Sequence, residues 1–144
     1  MAQGKAFWLL KTEPSTYSFS QLIKDGKTHW NGVRNFQACN FIKQMKPGDL
    51  ALIYHSGGDK AVVGVAEICS KPYKDEDPEG GDWFQVDLTP ITALEKPVEL
   101  KQIKALKSLS ELLLVKQSRL SVMPVSKAHF ELIRKMGKPT ESWL

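Results

Sequence analysis

The sequence predicts a small α+β domain in which a partly closed β-barrel is flanked by helices. Three observations carry this prediction. Five or six apolar segments of mixed length, predicted as strands, occur together with three to five segments predicted as helices. Gly57-Gly58-Asp59 separates two of the strands and favours antiparallel pairing between them. The length of 144 residues, 42% of them hydrophobic, suits one domain spanning 1–144.

The first strand and helix follow from an apolar run and its flanking residues. Residues 6–13 (AFWLLKTE) are predicted to form a buried strand that ends before Pro14. Ser18 is a suitable N-cap with Gln21 in the capping-box position, and Gly26 ends the helix that they begin.

A tryptophan follows in an unusual context. Trp30 stands beside Asn31-Gly32, a strong turn dipeptide, and is predicted to lie in a loop between two helices. Residues 35–46 carry a rough helical period and are predicted to form the second helix.

Strands dominate the middle of the chain. Residues 49–56 and 61–70 are apolar strands on either side of the glycine turn. The acidic, proline-containing segment 71–82 is predicted to be a surface loop. Residues 83–98 begin with alternating polar and apolar side chains, which predicts a long strand, bent near Pro90.

The last third of the chain combines helices, one strand and a basic charge. Residues 99–106 are a predicted helix, and another begins after the N-cap Ser126 and ends before Gly137. Residues 119–125 are a predicted strand, and 108–117 are ambiguous. From 99 to 144, nine Lys or Arg oppose four Glu, a net charge of +5 against +4 for the whole chain. Such a cluster fits either a phosphate-contacting face or the solvated side of helices.

Composition argues against several classes of function. The two cysteines, Cys39 and Cys69, and the three histidines show no metal-ligand spacing, so we expect neither a metal nor a cofactor. Both cysteines lie in apolar segments and are predicted to be buried, unreactive free thiols of a reducing compartment. The first apolar run is too short for a signal peptide or a membrane span, so the expected location is the cytoplasm, or the nucleus of a eukaryote.

Signatures of catalysis are missing from the sequence, whereas features of a pocket are present. There is no GxSxG, HExxH, GxGxxG or P-loop motif. Pairing Cys39 with His55, or Glu13 with Asp49, would need a proximity that spacing does not predict. Polar residues instead stand at the ends of buried strands, next to aromatic residues. This arrangement favours a concave pocket for a planar ligand. Trp30 is then either a stacking wall of that pocket or a lid on the core.

Several segments resemble the EVE domain family, and they occur in family order. They are WLLKTEPSTYSF, WNGVRNFQA, MKPGDLALIYHS, VVGVAEI and RLSVMPV, within a stretch from Phe7 to about Met136. The resemblance implies a PUA-like fold, with a mixed barrel-like sheet surrounded by helices, and kinship with YTH and ASCH domains. It also implies a nucleic-acid-binding module without catalytic activity that recognises a modified base, notably cytosine methylated or hydroxymethylated at carbon five in DNA.

The YTH pattern implies which residues line the base pocket. In that pattern a Lys-Ser-Tyr element at a strand end lines the pocket, and a loop tryptophan forms one wall of an aromatic cage. The matching and neighbouring residues here are Lys11, Thr12, Glu13, Trp30, Arg34, Asn35, Tyr54, His55 and Ser56. Candidates for a second aromatic wall are Tyr17, Tyr54 and Trp83. The basic segment adds Lys104, Lys107 and Arg119 as candidate phosphate contacts.

One departure from the YTH pattern bears on the ligand. Glu13 stands where the YTH element has an aromatic residue, and a carboxylate suits the exocyclic amine of cytosine or adenine. The rival interpretation is a hydrolase of modified nucleosides, as among ASCH relatives, with Glu13 or Asp49 activating a water. A third is a protein-interaction module with a vestigial pocket. DNA and RNA both fit the sequence, as does any oligomeric state.

Overall fold

The computed structural model describes residues 5–58 and 60–137. The strands are β1 Phe7–Thr12, β2 Thr28–Trp30, β3 Leu50–His55, β4 Ala61–Ile68, β5 Tyr73–Lys74, β6 Phe84–Glu99 and β7 Val122–Val125. The α-helices are α1 Phe19–Asp25, α2 Phe36–Lys43, α3 Leu100–Ala105, α4 Leu113–Lys116 and α5 Lys127–Gly137, with a short 3-10 helix at Lys107–Leu109. In the part of the chain that is described, no helix is long and apolar enough to cross a membrane.

The strands form one mixed sheet in the order β2-β6-β4-β3-β1-β7, and β5 pairs with β6. β1 and β3 run parallel, whereas β3 and β4 are antiparallel, as the glycine turn predicted. The pairing of β4 with β6 shifts register at two places, one of them beside Pro90, and such shifts increase local twist. The sheet curls into a half-barrel, and α2 packs against β6 and β7. The predicted α+β, PUA-like class is therefore confirmed.

The core lies around the central strands. β1 and β3 are continuous apolar runs because both faces of the sheet are covered there, and Leu9, Leu10 and Leu52 are fully buried. Phe130 of α5 packs on Phe7, with 4.5 Å between the ring centroids. The predicted N-cap of α1 is present, since the Ser18 side chain accepts the backbone N–H of Gln21.

The structure corrects several predictions about local structure. Trp30 ends strand β2, which pairs with β6, instead of lying in a loop. The segment 71–82 contains the two-residue strand β5, and 108–117 holds part of the 3-10 helix and α4. Gly137 is the last residue of α5 and does not lie beyond its end. Propensity misses such short elements because their pairing and packing partners are distant in sequence.

The prediction for the two cysteines is half wrong. Both are free thiols, and Cys39 is buried, but Cys69 is exposed just after the end of β4. The apolar character of β4 does not extend to the residue that follows it, where the chain turns toward the surface.

Candidate ligand pocket

A cavity of about 610 Å³ lies where the half-barrel is open, between the end of β1, strand β2 and the loop before α2. Its volume is within the range of about 300–1,000 Å³ typical of small-ligand sites. It is lined by Lys11, Thr12, Glu13, Thr16, Tyr17, Thr28, His29, Trp30, Asn31, Gly32, Val33, Arg34 and Ser121.

Two aromatic rings meet at a right angle in this cavity. Trp30 and Tyr17 have ring centroids 6.5 Å apart and an interplanar angle of 82°. Trp30 is only 9% exposed and belongs to the hydrophobic core, so one part of its surface packs inside while another borders the cavity. In the structure, Trp30 therefore both borders the cavity and covers part of the core.

Hydrogen bonds hold Tyr17 in place at both ends. The Thr12 hydroxyl donates to the Tyr17 carbonyl at 2.7 Å, and the Tyr17 hydroxyl donates to Asp25 at 2.7 Å. Burial, and to a smaller extent the neighbouring Asp25, raise the pKa of Tyr17 above its ordinary value. Of the three candidates for a second aromatic wall, Tyr17 is the one that lines the cavity in the described structure.

The end of β1 supplies one cation and one anion. Lys11 donates from Nζ to the Ser118 carbonyl at 2.7 Å, and burial lowers the pKa of Lys11. Glu13 accepts hydrogen bonds from the backbone N–H and the hydroxyl of Ser15, each at 3.0 Å. These bonds lower the pKa of Glu13, so its carboxylate is ionised at neutral pH and can accept further hydrogen bonds.

The opposite rim depends on a buried carboxylate outside the cavity. Asp75 is 6% exposed and accepts the Gly32 N–H at 2.8 Å and Arg34 Nη1 at 2.9 Å. Gly32 has φ of +81°, a conformation that favours glycine. Arg34 also donates from Nε to Asp77 at 3.2 Å. Burial alone would raise the pKa of Asp75, but the bonds from Arg34 and Gly32 bring it below its usual range.

A second carboxylate outside the cavity fixes His29. Nδ1 of His29 lies 2.7 Å from Asp87, and the Tyr73 hydroxyl donates to the same oxygen at 2.6 Å. Since a carboxylate only accepts, Nδ1 of His29 is the donor in this pair. Burial first, and then the bond to Asp87, raise the pKa of Tyr73 to about 12. These contacts tie β2 to β5 and β6.

Three of the predicted pocket residues, at the end of β3, make contacts within the fold and do not line the cavity. Tyr54 is 3% exposed and lies beneath Lys11, whose Nζ is 5.7 Å from the centroid of its ring. His55 accepts the Phe19 N–H at 3.1 Å through Nε2, and burial lowers its pKa. The Ser56 N–H donates to the Thr12 carbonyl. None of the three lines the cavity as the structure describes it, because β1 separates them from it.

Two further candidates lie beside the cavity. Asn35 is the N-cap of α2 and accepts the Ala38 N–H at 2.9 Å. Trp83 stacks on Phe36 with 5.1 Å between ring centroids, and the Arg34 guanidinium lies 5.4 Å from the Trp83 centroid.

The candidate phosphate contacts lie on different parts of the surface. Arg119 shares a shallow depression with Asn35 and belongs to the 118–121 segment that touches the cavity at Ser121. Lys104, on α3, borders a separate depression beside Lys60. Lys107 begins the 3-10 helix.

The structure also overturns the pairing of Glu13 with Asp49. These residues flank opposite ends of the paired strands β1 and β3. Asp49 is 2% exposed and accepts three hydrogen bonds, from the Trp8 indole and from the backbone N–H groups of Ala6 and Lys46. It is therefore a buried structural anchor. Cys39, whose pairing with His55 the spacing did not predict, accepts the Phe84 N–H at 3.2 Å.

Sequence reasoning missed several residues that line the pocket or hold its lining in place. Asn31, Gly32 and Val33 line the pocket and could have been inferred, since they lie inside the motif that contains Trp30. Asp75 and Asp87 could not, because Arg34 and His29, the cavity residues that they bind, are more than forty residues away in the sequence.

The family model for the EVE domain matches residues 6–136. The chain belongs to the EVE domain family. This confirms the family expected from the sequence motifs. Chicken (Gallus gallus) thymocyte nuclear protein 1 is 32% identical in an alignment 162 positions long, which covers 88% of this chain and 66% of the chicken protein. The chain therefore spans just under two thirds of that relative.

Solved structures share the fold of this EVE domain. A protein of Agrobacterium tumefaciens is 37% identical, with a TM-score of 0.88 and 92% of each chain covered. Human THYN1, crystallised in complex with DNA containing 5-methylcytosine, is 24% identical, with a TM-score of 0.86 and coverage of 93% of this chain and 98% of that one. A YTH domain of Zygosaccharomyces rouxii has a TM-score of 0.59 at 15% identity, covering 94% and 88%. The expected likeness in fold to YTH domains is thus confirmed.

Proposed function

We propose that this EVE domain binds nucleic acid and holds one modified base, extruded from its strand, in the cavity beside Trp30. The observation that carries the proposal is the right-angled pair of Trp30 and Tyr17 in an open cavity whose other lining residues are mostly polar. The human THYN1 complex with DNA containing 5-methylcytosine, which has the same fold, supports 5-methylcytosine as the first base to test.

Energetics allow a base to leave its strand and enter this cavity. Extrusion costs a few kcal/mol. A stack on Trp30 is worth about 1–3 kcal/mol and therefore offsets much of that cost. Tyr17 lines the same cavity at 82° to the indole, so it would limit the positions that a base can take beside Trp30. Hydrogen bonds and phosphate contacts supply the remaining free energy.

Glu13 gives the pocket a way to select the edge of the base. Its carboxylate is ionised and exposed at the end of β1, where it is held by Ser15. An exocyclic amine of cytosine or adenine donates to such an acceptor, whereas the carbonyl of thymine or uracil at the same position would be repelled. The proposal therefore includes a preference for amino-substituted bases.

Phosphate contacts in this proposal come from Lys11, Arg119 and the basic surface near Lys104. Arg34, in contrast, is engaged by Asp75 and Asp77 and shapes the rim of the pocket. Its charge is already matched, so we assign it a positioning role.

Equilibrium binding to matched oligonucleotides tests this function. Labelled DNA and RNA strands that differ only in one cytosine, 5-methylcytosine or 5-hydroxymethylcytosine are titrated by fluorescence anisotropy at 50 and 200 mM salt. We expect one modified strand to bind about tenfold or more tightly than its unmodified partner, the usual worth of one extra group in a fitted pocket. Equal affinity for all strands would contradict the proposal. Chromatography of the same mixtures should recover intact nucleotides, and turnover would favour the hydrolase.

A further inference from the structure

Phe36 is an exposed aromatic residue beside the pocket. It is 76% exposed, the highest value among the large hydrophobic residues that the structure describes as exposed. It opens α2 directly after the N-cap Asn35, so its backbone position is fixed by the helix. Most of the phenyl ring is therefore in contact with solvent and is accessible to a ligand.

The ring of Phe36 is held from behind. It stacks on Trp83 with 5.1 Å between centroids and an interplanar angle of 21°. Trp83 is itself fixed, because Gly81 approaches its indole so closely that a Cβ on Gly81 would clash, and because Arg34 lies 5.4 Å from its centroid. One face of Phe36 therefore rests on a rigid support while the other face is open.

Arg34 connects this aromatic pair to the pocket. It lines the cavity on one side and contacts Trp83 on the other. Phe36 follows Arg34 by two positions in the chain, so their Cα atoms lie at most about 7 Å apart. The stacked pair of Phe36 and Trp83 is thus next to the rim of the cavity that Arg34 forms.

The cations around the aromatic pair are already bound by carboxylates. Segment 71–82 beside Trp83 contains five carboxylates. Three of them are already paired: Asp75 and Asp77 with Arg34, and Asp82 with Lys43 and Lys74. No cation on the aromatic pair is left over for a phosphate in the described ion pairs, whereas the flat uncharged face of a nucleobase matches the phenyl ring.

We infer that Phe36 is a second stacking platform, which takes the nucleobase next to the one held in the pocket. This rests on the proposed function, since it assumes that a base occupies the cavity. Extrusion of one base removes a stacking contact from the next base of the strand. The Phe36 ring replaces that contact, as aromatic side chains commonly do when they bind single-stranded nucleic acid.

The test compares Phe36→Ala and Phe36→Trp with the wild type on 5-methylcytosine and cytosine DNA strands. We expect Phe36→Ala to weaken binding about five- to a hundredfold, and Phe36→Trp to restore it. Since stacking involves no counterion release, the loss should be the same at 50 and 200 mM salt. Ile23→Ala is the matched control, because Ile23 is 50% exposed on α1 and does not line the described cavity.

A fluorescent base locates the contact. With 2-aminopurine beside the 5-methylcytosine, wild type should quench its emission, and Phe36→Ala should leave it bright. If Phe36→Ala keeps the wild-type affinity, emission and discrimination between the two strands, Phe36 is not a stacking platform, although the proposed function can still hold. The exposed ring would then be a contact for a protein partner. If the wild type instead binds the 5-methylcytosine and cytosine strands equally well, the proposed function itself is wrong.

Discussion

Replacing Trp30 by Ala tests the double role of this residue. With 9% exposure, the side chain buries most of the 150–250 Å² typical of an aromatic residue, which at about 25 cal/mol per Å² corresponds to about 4–6 kcal/mol. Alanine retains part of this, so we expect the free energy of unfolding to fall by about 3–5 kcal/mol. Binding of the modified strand should fall by a further 1–3 kcal/mol, or about five- to a hundredfold, among the molecules that stay folded.

Two further variants separate stability from stacking. Trp30→Phe keeps an aromatic face and should retain part of the affinity with a smaller loss of stability. Trp8→Phe is the matched control, because Trp8 is 4% exposed and donates to Asp49 at the other end of β1. It should destabilise the fold and leave the discrimination between strands unchanged.

The assay pairs urea unfolding of each variant with titration of both strands at a temperature where every variant is folded. If folded Trp30→Ala discriminates between the strands as well as wild type does, Trp30 is only a core residue. The same conclusion would follow if Trp8→Phe lost discrimination to the same degree as the Trp30 variants, since the effect would then come from general loosening of the fold.

Three more predictions concern charge and thiols. The lowered pKa of Asp75 means that its contribution to stability is present above the ordinary aspartate pKa, near pH 4, and is lost as pH falls through the lowered value. In urea unfolding between pH 2 and 7, the free energy of unfolding of Asp75→Asn should therefore fall less on acidification than that of the wild type. An identical pH profile would contradict the ion pair with Arg34. Burial raises the pKa of Cys69, so alkylation followed by mass spectrometry should label Cys69 faster as pH rises above 8 and leave Cys39 unlabelled; equal labelling of both thiols would count against the structure. If Lys104 and Lys107 contact phosphates, their double replacement by Ala should reduce the slope of log affinity against log salt by about two, and an unchanged slope would remove both from the interface.

Apolar patterning and turn chemistry were sufficient to predict most of the fold. The runs at β1, β3 and β4 could be recognised because central strands are apolar on both faces. β2 could not, since three residues ending at Trp30 form a strand only by pairing with β6, more than fifty residues later. Cys69 was misassigned for a related reason: burial ends with Ile68, one residue before it.

The site was only partly predictable. Motif resemblance led to Lys11, Thr12, Glu13, Trp30 and Arg34, all of which line the cavity. It failed at the end of β3, where Tyr54 is buried and the partly exposed His55 accepts the Phe19 N–H of α1. Asp75 stood in an acidic segment where five carboxylates look alike, and only the folded chain shows that this one is buried against Gly32 and Arg34.

The roles of the pocket residues remain proposals with clear physical expectations. That the whole chain, 1–144, forms one EVE domain and that it resides in the cytoplasm, or in the nucleus of a eukaryote, likewise stay predictions.

The most direct test of the central claim is an NMR measurement on an oligonucleotide whose single 5-methylcytosine carries a ¹³C-labelled methyl group. If the base stacks on Trp30, the ring current of the indole should shift the methyl resonance when protein is added, and nuclear Overhauser contacts should connect the methyl to Trp30 and Tyr17. Trp30→Ala should abolish both effects. A bound complex in which the methyl keeps contacts only to its neighbouring bases would show that the base stays in its strand, and would contradict the account.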